Sequence, residues 1–194
     1  VTHVTEDDLD DMEFDTLRTG DHASAAKRFV ELAETVSGGV SRASLLLRAG
    51  EQWQHAGDHG KAAETYRDAL ADGGETYGDP RIYLAGALFE LGELDEARGL
   101  IAQVRADSPQ DPEVHRAVAE LLYEQGELVA AHDWATEGAD LARAGDQESQ
   151  ESLEGLLRIR YRCRLDLRRP EDRYDALLDE LLKKTDDAPG PQFR

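Results

Sequence analysis

A glycine, an acid immediately after it, and an alanine five positions beyond the glycine recur four times in this chain. The segments are Gly20-Asp-His-Ala-Ser-Ala25, Gly57-Asp-His-Gly-Lys-Ala62, Gly92-Glu-Leu-Asp-Glu-Ala97 and Gly126-Glu-Leu-Val-Ala-Ala131, with the glycines 37, 35 and 34 residues apart. Such a period marks an internal repeat. Glycine accepts the left-handed conformation that closes a helix. The acids Asp21, Asp58, Glu93 and Glu127 fall where the next helix begins, at unpaired N–H groups and the positive end of the helix dipole. The alanine fits a point where two helices cross too closely for a longer side chain. Apolar residues fall at helical spacing before the glycine (Leu46, Ala49, Gly50, Trp53; Leu84, Ala85, Leu88) and after it (Ala62, Tyr66, Ala69, Leu70; Ala97, Ile101, Val104). Each unit therefore reads as helix, tight turn, helix. The fold class is all-α, with essentially no strand.

This pattern resembles the tetratricopeptide repeat. Residues 78–111 carry it through Leu84, Ala85, Leu88, Gly92, Ala97, Ile101 and Pro109, with Arg81 at a usually bulky position. Residues 43–77 carry it through Leu46, Gly50, Trp53, Gly57, Ala62, Tyr66 and Ala69. Residues 112–145 keep Val118, Ala119, Leu122, Gly126 and Ala131 but place His115 and Gly138 at atypical positions. Residues 6–39 are degenerate in their first helix, where Leu9 and Met12 hold the pattern and Thr16 breaks it. The resemblance implies one domain over 1–194, a right-handed superhelix of antiparallel helix pairs. A fifth, divergent pair over 151–184 is expected to cap the stack, with Tyr174, Leu177, Leu178, Leu181 and Leu182 as its apolar stripe. The expected linkers are Ser37-Gly-Gly39, residues 72–79 and 144–150, and residues 185–194 are expected to form a flexible tail.

Composition narrows the function classes. There are 42 acids against 22 bases, a formal charge of −20. This disfavours general nucleic-acid binding and docking on anionic membranes, both of which depend on Lys and Arg. The surplus is uneven: residues 1–157 carry a net −22 and 158–194 a net +2. Cys163 is the sole cysteine, so neither an internal disulfide nor a four-cysteine zinc site can form. No apolar run suits a membrane span, and the acidic start does not suit a signal peptide, so a cytoplasmic location is expected. Arginine outnumbers lysine eighteen to four and alanine is abundant, pointing to a small protein from a high-GC, actinobacterial-like bacterium.

No catalytic motif is present. Gly73-Gly-Glu-Thr-Tyr-Gly78 lacks the lysine and spacing of a phosphate-binding loop and reads as a turn. His55 and His59 are four apart, but Gly57 interrupts the helix that would align them on a metal. Cys163 lies between Arg162 and Arg164 and reads as a core thiol. The pairs Asp7-Asp8, Asp10-Asp11 and Asp186-Asp187 read as solvated faces. The chain is expected to be no enzyme, with no cofactor and no metal.

Interaction is the better route to function. In the family the first helices of successive repeats line a concave groove. Carried onto this chain, the groove positions are Ser44, Leu47, Glu51, Gln54 and His55; Asp79, Ile82, Gly86, Phe89 and Glu90; and Glu113, Arg116, Glu120, Tyr123 and Glu124. Phe14 and Arg18 extend them into the first repeat. Arg116 is the one base among the fifteen, so a clamp for an acidic carboxyl terminus is not implied. The expected ligand is a basic or amphipathic segment of a protein, steered by the acids and anchored on Phe89 and Tyr123. Monomer and dimer both stay open. The arginines at 158, 160, 162, 164, 168 and 169 offer either a second surface or internal salt bridges. The alternatives are a self-assembling regulatory or structural repeat protein, and a non-catalytic subunit of an enzyme complex.

Overall fold

The computed structural model describes residues 2–146 and 151–186. Among them are ten helices and two short strands: β1 (Thr2–Val4), α1 (Glu6–Thr19), α2 (His22–Thr35), β2 (Val36–Gly39), α3 (Arg42–His55), α4 (His59–Asp72), α5 (Pro80–Glu90), α6 (Leu94–Ala106), α7 (Pro112–Glu124), α8 (Leu128–Ala144), α9 (Leu153–Asp166) and α10 (Arg173–Asp186). Helices that follow one another pack together in adjacent pairs, an all-α repeat architecture. The contacts divide into two compact units, residues 1–107 and 108–194, each described by itself.

The recurrent turn is built as its residues dictate. Gly20, Gly57, Gly92 and Gly126 all adopt positive φ, between 71° and 78°. Asp21 and Asp58 cap the next helix, accepting from Ser24 N at 3.1 Å and Lys61 N at 3.0 Å. Glu93 and Glu127 hold the same position without a side-chain cap bond, where the longer acid still suits the positive end of the helix dipole. The alanines behind these turns, Ala25, Ala62, Ala97 and Ala131, are all buried. In α5 and α7 an aspartate cap precedes a first-turn proline, Asp79-Pro80 and Asp111-Pro112. Proline suits that place because its missing N–H would have no helical partner.

In the first unit Leu9, Phe29, Leu45, Leu46 and Ala49 form a core that Met12 and Val36 flank. Thr16, the break in the α1 pattern, is buried and donates its hydroxyl to Met12 O at 2.8 Å, which satisfies it locally. The expected Ser37-Gly-Gly39 linker lies within β2. Thr2–Val4 pairs in parallel with Val36–Gly39, and Val40 N donates to Val4 O at 2.9 Å. A side chain at Gly39 would meet Val4 O at 1.9 Å, so the second glycine is what admits β1. In α3, Gly50 lies against the ring of the fully buried Tyr66.

In the second unit α8 packs on α7 and α9, and α10 packs on α9. The atypical His115 and Gly138 compensate one another. His115 is buried edge-on to Trp134, 5.0 Å between ring centroids, and a Cβ on Gly138 would lie 2.6 Å from His115 Cβ. The stretch 151–184 holds α9 and most of α10, with Tyr174 and Leu178 joining Ala139, Ala142, Leu153, Leu156 and Leu157. Its turn repeats the backbone bonds of the Gly126 turn with Arg168 at φ 54° where glycine stands elsewhere. The expected tail at 185–194 begins inside α10, and its residues 187–194 lie outside the described residues, as do 147–150 of the expected linker and Asp187 of the expected acid pair.

Two of the clustered arginines are internal. Arg160 and Arg164 are 4% and 5% exposed. Arg160 grips both carboxylate oxygens of Asp172 at 3.0 and 2.5 Å, donates to Thr136 Oγ1 at 2.9 Å and lies 4.1 Å from the Tyr174 ring centroid. Arg164 donates to Asp175 Oδ1 at 2.8 Å and to Arg169 O at 2.9 Å. Spaced one turn apart on α9, they tie the start of α10 to the body. Arg169 in turn donates to His132 Nδ1, 3.1 Å away, so that nitrogen must carry a lone pair. Burial, helped by Arg160 and Arg169 and only partly offset by Asp133, lowers the His132 pKa.

Two outcomes follow for stability. A depressed imidazole pKa means that the unfolded chain takes the proton first, so stability falls as pH drops from about 6.5 through the lower folded value. His132→Gln should flatten that part of the pH profile, as read by thermal unfolding between pH 7 and 5. A Cβ at Gly50 would lie 2.2 Å from Tyr66 Cε1, whereas one at Gly99 on α6 meets nothing within 4 Å. Gly50→Ala should therefore cost about 1–3 kcal/mol by overpacking, while Gly99→Ala should gain up to about 1 kcal/mol from helix propensity.

Candidate interaction surface

In the first unit, the C-terminal half of α1, the start of α2 and the last turns of α3 enclose a cleft of about 360 Å³. Glu13, Thr16 and Leu17 line it from α1, His22 from α2, and Glu51, Gln52 and His55 from α3. The Gly20 turn brings α2 back along α1, which sets His22 beside α3. His22 Nδ1 lies 2.8 Å from Gln52 Oε1, and its ring centroid is 5.2 Å from that of His55. The histidine partnership is therefore His22 with His55, rather than His55 with His59. Among the described residues no group of three or more His, Cys, Asp or Glu is placed to hold a metal ion.

Charge at the cleft is organised by Arg48, one turn before Gln52 on α3. Its side chain is 15% exposed and reaches Glu6 at 2.7 Å and also Glu13. Its guanidinium lies 4.9 Å from the Tyr77 ring centroid, and the Tyr77 hydroxyl donates to Glu51. Burial opposes the charge on Arg48, but the hydrogen bond and charge of Glu13, with Tyr77 and Glu6, raise its pKa. Glu51 behaves oppositely. Burial raises its pKa and Glu13 adds to the rise, outweighing the Tyr77 hydrogen bond and the more distant Arg48. Glu51 is thus a carboxylate short of compensating positive charge beside an open cleft.

Among the other expected groove positions of this unit, Gln54 is half-buried and accepts from the Tyr66 hydroxyl. Ser44 and Leu47 are buried. Asp79 is spent as the α5 cap, bonded to Arg81 N and to its guanidinium. Ile82 and Phe89 are 7% and 6% exposed and Gly86 is buried, which removes Phe89 as a surface anchor. The reason is packing: α5 is held against α3, α4 and α6, so apolar residues occupy nearly its whole circumference. Glu90 remains exposed.

The second unit presents a different surface. Arg116 binds Glu113 at 2.7 and 2.9 Å and Glu120 at 2.8 Å, and Ser152 also donates to Glu113. The hydrogen bond from Arg116, with that of Ser152, keeps the Glu113 carboxyl below its usual range despite some burial. Tyr123 is half-buried, donates to Asp166 at 2.9 Å and lies under Arg162 at 4.8 Å, while Glu124 is exposed. On this face one arginine is shared between two of the three glutamates, so the acids are partly neutralised. Cys163 is fully buried and its thiol is pushed up to about 11, burial outweighing the neighbouring arginines. It is a packing residue.

Sequence reasoning missed Glu13, Thr16, Leu17, His22 and Gln52 as cleft residues. The degenerate apolar pattern of α1 hid its register, and the His22–Gln52 contact spans 30 positions with no local signature. The tetratricopeptide repeat family model matches residues 55–121, from the last residue of α3 into α7. No curated protein matches the chain. No described helix is long and apolar enough to cross a membrane. Over residues 55–121 the chain is similar to the tetratricopeptide repeat, whose repeats generally mediate protein–protein interaction.

Proposed function

We propose that this chain is a non-catalytic adaptor of a bacterial cytoplasm that binds a basic or amphipathic peptide segment of another protein. The cleft of the first unit is the primary site. The observation that carries the reading is Glu51: a carboxylate raised in pKa by burial, with Glu13 adding to the rise, at the wall of an open cleft. A lysine or arginine entering there supplies the charge that Arg48 does not, and Leu17 offers its apolar side chain to the same segment. Glu90 in the first unit and Glu120, Tyr123 and Glu124 in the second extend the recognition as weaker, separately acting contacts.

Titrating the chain with a fluorescent lysine–leucine amphipathic helix should give saturable, salt-sensitive binding. Glu51→Gln should weaken it by about five- to tenfold while leaving the melting midpoint equal or slightly higher, because a poorly compensated buried charge has been removed. Affinity should also fall as the pH is lowered through the raised Glu51 pKa, since the protonated acid no longer attracts a cation. Equal binding by parent and variant would place recognition elsewhere.

A further inference from the structure

Two exposed helix faces, one in each unit, have complementary chemistry. On α1, Phe14 and Leu17 are 70% and 78% exposed, the two most exposed large apolar side chains among the described residues. Asp7 and Asp10 continue the same stripe at helical spacing and Asp11 borders it. None of these three acids is ion-paired with a described residue, and α1 as a whole carries seven acids against Arg18. On α9, Tyr161 and Leu165 are 39% and 48% exposed, four residues apart on one face. Arg158 lies beside Leu165 on the helical wheel, two turns before it, and the exposed Arg162 and Arg168 border the pair. Arg158 is engaged only by the exposed Glu154, in a pair of the kind that contributes little.

We infer that the α1 face of one copy docks on the α9 face of a second copy, giving head-to-tail self-association. Charge fixes the direction. With the two helices antiparallel and Phe14 and Leu17 seated on Tyr161 and Leu165, Asp7 and Asp10 lie about 10 Å along the axis. That is close to where Arg168 follows the end of α9. The parallel arrangement would instead set these acids towards Glu154 and Arg158, which already pair with each other. The net charge of −20 repels copies at long range, but that repulsion is screened beyond about 8 Å at physiological salt, whereas the facing acids and arginines are in contact range. A contact that uses two different faces is heterologous, so each copy keeps one free face after pairing. The α1 face and the cleft share Leu17, but Glu51 lies on α3, outside both docking faces, so Glu51→Gln, which impairs peptide binding, should leave self-association unchanged.

The test is sedimentation velocity on the full chain at physiological salt, from about 1 µM to about 1 mM, the range in which weak interfaces assemble. The parent should shift to larger species with concentration. Phe14→Gln/Leu17→Gln and Tyr161→Gln/Leu165→Gln should each stay monomeric alone, with unchanged circular dichroism because the altered side chains are on the surface. Mixed in equal amounts, the two variants should form a species of twice the monomer mass and nothing larger, since one intact α1 face and one intact α9 face remain. A parent that stays monomeric throughout, or a mixture that fails to form that dimer, would overturn the inference.

Discussion

Close helix crossing behind a left-handed turn is the constraint from which the rest of this structure follows. Each of the turns at Gly20, Gly57, Gly92 and Gly126 returns the chain along the helix it has just left, and the alanine five residues on is buried where the two meet. That geometry makes each helix pair a layer with apolar faces that only a neighbouring layer can cover. The glycine in α3 that admits the Tyr66 ring, and the Gly138 that admits His115, are further instances of the same economy of volume at a crossing.

The ends of the array solve the covering problem differently. At the amino end α1 tucks Leu9 into the core and leaves Phe14 and Leu17 in solvent under a field of aspartates. At the carboxyl end α10 lays Tyr174 and Leu178 over α8 and α9, and two buried arginines on α9 secure it through Asp172 and Asp175. Paired buried charges of this kind are sensitive to the loss of either partner. The acid surplus is likewise put to uneven use. On α7 Arg116 partly neutralises Glu113 and Glu120, and at the first cleft Arg48 serves Glu6 and Glu13 and leaves Glu51 undercompensated.

The helices, turns and crossing alanines were legible because their determinants are local: a glycine, a cap and apolar residues at 3.6 spacing. What escaped was set by distant partners. Arg168 takes the left-handed turn position without being glycine, so the fifth turn, which Arg169-Pro170 marks in the sequence, lacks the glycine of the other four. The β1–β2 pairing joins residues more than thirty positions apart through Gly39. Phe89 occupies a surface position by repeat numbering yet is buried, because α5 has helices on several sides. The cleft was half visible: Glu51 and His55 followed from the repeat register, whereas His22 and Glu13 required knowing how α1 and α2 return against α3.

The most direct test of this account is the thermal unfolding of Ala97→Leu. Ala97 is fully buried, at the repeat position shared by Ala25, Ala62 and Ala131. If the crossing there has no spare volume, the added side chain should lower stability by about 1–3 kcal/mol and lower the melting midpoint, with helical content retained. An unchanged or raised melting midpoint would mean that the helices do not meet closely at that alanine, and would contradict the packing on which the rest of the description rests.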